Sequence, residues 1–275
     1  MSAVTVQASR PLPTQPLIAA AVLRELAREG GAELAPYVEI DPSLTVAVLQ
    51  AANAPHLRQS RRVATVRQAL ALLGTTAVEA IATSTTAALV LGPDDVGCPP
   101  GFWVRSIAAA SASSAVAHRL GANPEEAFTA AILHDLGDLM LYRADPELHA
   151  IVAARGASGE RSILEQERSV FGRVHTDLGA DRLEHWFVPE RIVRAVRWHH
   201  GAPEALTETL ARIVWAGVRI GAVVAGSPWV SGPDDVARPE AVLTAIGLGA
   251  HDTKRVLADA DVQVQRVLTV VGRVR

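Results

Sequence analysis

Apolar residues recur along this chain three and four positions apart, the spacing of helices that each bury one face. Leu17, Ala20, Ala21, Leu23, Leu26 and Ala27 form the first series, and Gly30-Gly31 stops it. A short helical piece follows over 33–38. Asp41-Pro42 is a start signal, with Asp41 as N-cap and Pro42 at the first helical position, for a helix that runs to Asn53 ahead of Pro55. The pattern predicts further helices over 66–73, ended by Gly74, and over 77–91. Next comes 102–120, where many Ala and Ser residues allow close approach of a neighbour. Asn123-Pro124 opens the following helix, with Glu125 and Glu126 in the first turn, where the helix dipole favours carboxylates. Its apolar run, 127–141, is interrupted by the adjacent pair His134-Asp135, with Gly137 and Asp138 just beyond. Helices over 146–155, 162–170, 172–186, 189–198, 206–225, 239–246 and 252–271 complete the series. The 206–225 segment is so uniformly apolar that it belongs at the centre of the core. No strand-period segment exceeds a few residues, so the expected fold class is all-α.

The clearest boundary is 92–101, which holds three prolines and three glycines in ten residues. It divides a helical half, 17–92, from a second half, 93–227. A loose arm, 1–16, precedes them and closing helices, 228–275, follow a break at Pro228, Gly232 and Pro233. The N-terminal helices are too apolar to stand alone, so the halves are expected to pack as one unit.

Composition narrows the function classes. The chain of 275 residues is 49% hydrophobic and only 4% aromatic, so its core must be built from Ala, Val, Leu and Ile, of which Ala and Leu favour helices. A formal charge of -3 gives no general attraction for nucleic acid or anionic lipid. Arg58, Arg61, Arg62 and Arg67 read as a solvated face rather than a nucleic-acid patch. Cys98 is the sole cysteine, which excludes an intrachain disulfide and a cysteine-based zinc site. No segment reads as a signal peptide or a membrane span, and a soluble, cytoplasmic protein is expected.

The chemistry sits around His134-Asp135. A carboxylate in an apolar helical run needs a cation, a metal or several hydrogen bonds to remain charged. His175, His199 and His200 are further candidates, while His118, His149, His185 and His251 read as surface or helix residues. Asn53 reads as a helix-terminal hydrogen-bonding residue.

Several spaced motifs together resemble the HDOD family, bacterial all-helical relatives of the HD phosphohydrolases. They are Leu12-Pro13; Ile40-Asp41-Pro42-Ser43-Leu44-Thr45 with Leu49, Ala52 and Asn53; Val66, Ala69, Leu70, Leu72, Leu73 and Gly74; and Phe102-Trp103. Asn123-Pro124-Glu125-Glu126-Ala127-Phe128 before Leu133-His134-Asp135-Leu136-Gly137 is the most specific stretch. His175 before Leu178-Gly179, then Val188-Pro189-Glu190 and Trp198-His199-His200, follow in order over roughly residues 12–225. The resemblance implies an HD-like helical bundle and a signalling output role.

It also implies a metal site that this chain alters. Catalytic HD enzymes use an earlier His, the His-Asp pair and a later Asp. This chain has Arg105 at the first place and the carboxylate-free Val214-Trp215-Ala216-Gly217-Val218 at the last, while Asp138 replaces a common lysine. Two readings follow. In the first, Arg105 pairs with Asp135, no cofactor is needed, and the relic site with Asp138, His175, His199 and His200 serves a regulatory protein that binds a signalling partner or a small ligand such as a nucleotide. In the second, His134, Asp135, His175 and His199 hold a divalent metal in a phosphohydrolase or phosphodiesterase acting on a nucleotide.

Overall fold

Helix-start chemistry near residue 41 ties the beginning of the chain to its first bundle. In the computed structural model, which describes residues 12–27, 33–57, 60–91, 97–157, 162–226 and 238–272, Asp41 caps α3 (Pro42–Ala52) by accepting from the Leu44 N–H at 2.9 Å. Its second carboxylate oxygen accepts from the Gln15 N–H at 2.9 Å, and the Ser43 hydroxyl donates to the Pro13 carbonyl at 2.6 Å. Leu12–Gln15 is thereby clamped against α3, and Gln15 caps α1 (Pro16–Leu26). Most of the expected arm lies outside the described residues, as do Gly30-Gly31, Arg58, 92–96, and the break at Pro228, Gly232 and Pro233.

The first half continues with α2 (Ala35–Glu39), α4 (Val66–Leu73) and α5 (Thr75–Leu91). The second half contains α6 (Phe102–Arg119), α7 (Pro124–Ile132), α8 (Leu136–Ala144), α9 (Pro146–Ala157), α10 (Ile163–Phe171), α11 (His175–His185), α12 (Glu190–Trp198) and α13 (Thr209–Val224). Helices α14 (Pro239–Ala245) and α15 (Ala250–Gly272) close the bundle. Among the described residues there is no strand, and no helix is long and apolar enough to cross a membrane. The helix expected over 206–225 is α13, which starts three residues later, at Thr209, after a 3-10 turn over Pro203–Ala205.

Helices α6 and α13 form the central pair. A Cβ added to Gly217 would lie 1.9 Å from the Ser113 hydroxyl, and one on Gly221 would lie 2.5 Å from the Ala109 nitrogen. Glycine there, facing small residues on α6, is what lets the two backbones meet. One apolar core runs from Ile18 and Val48 through Ile107 and Leu133 to Ile213, so burial crosses from one half to the other. A small second cluster, Leu141, Val152, Phe171 and Leu178, joins α8, α9, α10 and α11.

Asn53 does the helix-terminal work its position suggests. Its amide donates to the Leu49 carbonyl at 3.0 Å and the Val63 carbonyl at 2.9 Å, and its oxygen accepts from the Val63 N–H at 2.8 Å. Asn53→Ala would strand both backbone groups of buried Val63, for a loss of about 2 kcal/mol. Urea denaturation checks this, and a loss below about 0.5 kcal/mol would mean that water replaces the amide.

The His134-Asp135 pair is not carried within a helix. Helix α7 ends at Ile132, Leu133–Asp135 turn, and α8 begins at Leu136. The Ala131 carbonyl, which a continuing helix would bond to Asp135, is taken by the His134 N–H at 3.3 Å and by His134 Nδ1 at 2.7 Å. That local competition breaks the helix and turns the chain so that Gly137 can meet α11.

Candidate functional site

Each histidine that the sequence places at the site sits at a helix end rather than in a helix middle. His134 lies in the α7–α8 turn, His175 is the first residue of α11, and His199 and His200 follow α12. Arg105 comes from the first turn of α6, and Asp138 from the first turn of α8. These elements meet over the central pair and bring all seven sequence-predicted residues into one place.

The imidazoles are oriented alike. His134 Nδ1 is bonded to the Ala131 carbonyl and His199 Nδ1 to the Val196 carbonyl, each at 2.7 Å. His175 Nδ1 lies 2.8 and 2.9 Å from the two oxygens of Glu167, and one of those oxygens also accepts the His175 backbone N–H at 2.8 Å. Every Nε2 therefore turns inward. His175 Nε2 and His199 Nε2 are 3.2 Å apart, His134 Nε2 is 3.3 Å from Asp135 Oδ1, and the other two lie 3.9 Å from that same oxygen. Ring nitrogens anchored at Nδ1 and convergent at Nε2 are the arrangement that orients histidines toward a metal. Two groups have ligand atoms within 4.8 Å of one another, His134, Asp135 and His199, and His175, His199 and His200. By donor type, then, the residues fit a divalent ion.

The positive charges already present also fit. Arg105 Nε lies 3.7 Å from Asp135 Oδ2, its NH2 donates to Asp138 Oδ2 at 3.2 Å, and its NH1 donates to the Pro100 carbonyl at 2.9 Å. Burial works against the Asp135 charge, but His134, Arg105 and His175 together hold its carboxyl well below the usual range. Burial also opposes a charged His175, yet the Glu167 carboxylate overrides it and pushes the imidazole up to about 9. His199 goes the other way, driven well below its ordinary value by burial and by His200, His134 and His175. A protonated His175 can thus donate from Nε2 to the neutral His199. Arg105 and that proton supply two positive charges facing Asp135, Asp138 and Glu167.

Sequence reasoning missed three contributors. Glu167 is 2% exposed and orients His175, but nothing in its local pattern separates it from the solvated charges of α10. His149 is not a surface residue: it is 8% exposed, and its Nε2 lies 2.6 Å from Asp138 Oδ1. Arg219 donates to the His199 carbonyl at 3.0 Å while its guanidinium lies 4.4 Å over the Trp215 ring, which pins the end of α12. His118, His185 and His251 are exposed, as expected.

Above the cluster opens a cavity of about 290 Å³. Arg105, His134, Asp135, Asp138 and His175 make its polar side, and Pro99, Tyr142, Val152, Ile163, Val218 and Ala222 its apolar walls. The α13 segment expected to lack a carboxylate thus presents Val218 to this space.

An all-helical bundle with a His-Asp turn beside three further histidines defines an HD-like domain. The HDOD domain family matches residues 12–202, and the chain belongs to that family. The MmoQ response regulator from Methylococcus capsulatus is 29% identical, with a TM-score of 0.73 over 91% of this chain and 99% of that one. A virulence factor from Campylobacter jejuni shares the fold, at 16% identity and a TM-score of 0.69 over 96% of this chain and 95% of its own. An uncharacterized protein of Treponema pallidum (strain Nichols) is 22% identical over 188 residues, 64% of this chain. This chain spans only 34% of that relative's length.

Proposed function

We propose that the chain is a non-catalytic regulatory protein of bacterial, cytoplasmic signal transduction, which binds a small ligand of the nucleotide class or a protein partner at the cavity over Asp135. The observation that carries this reading is the Arg105 guanidinium across Asp135 and Asp138. A hydrolytic metal needs its carboxylate ligand and an open coordination position. Here a fixed cation compensates that carboxylate and repels a second cation. The apolar walls suit a ring, and the polar side suits the groups attached to it. The likeness to a response regulator accords with a signalling role.

The convergent Nε2 atoms favour a second reading, a metal-dependent phosphohydrolase acting on a nucleotide. In that reading His134, Asp135, His175 and His199 would hold a divalent ion. When bound, the ion would supply a Lewis acid for phosphate and a water of lowered pKa.

Elemental analysis of the purified protein, with an assay of cyclic dinucleotide hydrolysis, separates the two. The expected result is no stoichiometric transition metal and no turnover, with saturable nucleotide binding in calorimetry. Stoichiometric metal, with hydrolysis abolished by His134→Ala and Asp135→Ala, would replace the first reading by the second.

A further inference from the structure

Phe187 occupies a backbone position that glycine takes elsewhere among the described residues. Its φ is 57°, the one positive value on a non-glycine residue among those described. It follows the α11 cap residue Trp186, its N–H bonds to the Glu184 carbonyl, and the Val188 N–H reaches back to the Leu183 carbonyl at 3.0 Å. The same six-to-one closure ends α6 and α14, where Ala122 bonds to Ala117 and Leu248 to Leu243, but there Gly121 and Gly247 take the left-handed residue. A bulky side chain at such a position strains the backbone, and strain of this kind is retained where it serves a site. Burial does not account for it, because Phe187 is 39% exposed.

Phe187 stands in an open groove of about 1380 Å³ between the α11–α12 turn and α4 with the segment that leads into it. Leu72, 44% exposed, lines the same groove. The charges around it are unequal. Glu190 is paired with Arg194 and Arg191 with Glu126, while Glu184 lies 3.9 Å from Arg197, which bonds Asp177 and Asp181. Exposed Arg61 has no ion pair among the described residues, and Arg62 lies 5.6 Å over the Phe187 ring and donates to the Val188 carbonyl at 3.3 Å. The result is an aromatic and aliphatic floor with two arginines that make no ion pair among the described residues.

We propose that this groove docks an acidic, extended segment of a partner protein, with a large apolar side chain seated against Phe187 and Leu72 and carboxylates on Arg61 and Arg62. Complementary charge sets the orientation and the apolar contact supplies the anchor. The groove lies at the α11–α12 turn, whereas His175 and His199 lie at the opposite ends of those helices, so cavity ligands will not compete for it.

The test uses the full chain and three fluorescein-labelled probes: a ten-residue peptide alternating Leu with Asp or Glu, the same peptide with Lys in place of the acids, and an oligo-dT strand. The acidic peptide should bind saturably and weaken as salt rises, while the Lys peptide and oligo-dT do not bind. Arg61→Glu with Arg62→Glu should weaken it at least about tenfold, a loss of about 1.4 kcal/mol. Phe187→Gly should weaken it similarly while raising the thermal midpoint by a few degrees, because the strain is relieved. Loss of binding with gained stability cannot come from misfolding. No binding of the acidic peptide, or unchanged binding in Phe187→Gly, would overturn the proposal. So would oligo-dT binding through the same residues, or a concentration-dependent dimer abolished by Phe187→Gly, since either names a different occupant.

Discussion

Arg105→Ala will destabilise the protein by about 3–5 kcal/mol in chelator-treated buffer, and Mn(II) or Ni(II) will recover much of that loss. Removing the guanidinium takes a fixed cation from Asp135 and Asp138 and leaves imidazoles to offset both carboxylates. Asp135 and Arg105 are 13% and 15% exposed, so little water is on hand to replace the guanidinium. The variant keeps inward-facing His134, His199 and Asp135 and loses the charge that repels a cation. A divalent ion at about 1,000 times its Kd would add roughly 4 kcal/mol to the folded state. Urea denaturation of wild type and variant, each with EDTA and with metal, reads both effects. Asp135→Asn in the Arg105→Ala background should restore stability without metal, because it removes the buried charge that the guanidinium had helped to offset. If Arg105→Ala is as stable as wild type, or metal stabilises the two equally, Arg105 is not the compensating cation.

Gly137→Ala should cost more, above about 4 kcal/mol, and should take the site apart. Its new Cβ would lie 1.9 Å from the His175 carbonyl oxygen, 2.7 Å from that carbonyl carbon and 2.8 Å from the Gly179 nitrogen. All three are backbone atoms, so no side-chain rotation relieves the clash and α8 must move off α11. His175, at the head of α11, would then leave His199, although Glu167 can follow it on α10. Gly179→Ala meets its nearest atom only at 3.0 Å and should cost less. Denaturation midpoints give the order, and imidazole resonances report whether His175 and His199 still face each other. Equal, mild losses at both glycines would show that the α8–α11 crossing has slack.

Much of the fold was legible because its signals are local. Asp41-Pro42 and Asn123-Pro124 start α3 and α7 through groups within three residues, and Gly74 ends α4 where it should. The histidines at 134, 175, 199 and 200 were legible as a set only through the order of motifs along the chain. The turn at Leu133–Asp135 was not, since an apolar run looks the same whether a helix continues or His134 captures the Ala131 carbonyl. Glu167, His149 and Arg219 were hidden for another reason. A charged residue on a helix reads as solvated until another element covers it.

The chain's pattern of apolar and capping residues therefore determined by itself an all-α protein and its helix order, and the order of its motifs, His134-Asp135 among them, carried the resemblance to its family. Tertiary structure alone decided that three imidazoles present Nε2 to one carboxylate oxygen, that Arg105 reaches across two aspartates, and that Phe187 stands strained beside Arg61 and Arg62. Helix formation depends on neighbours within four residues, whereas compensation of charge depends on distance through space. No spacing in a sequence encodes that distance until α6, α8, α11 and α12 have packed.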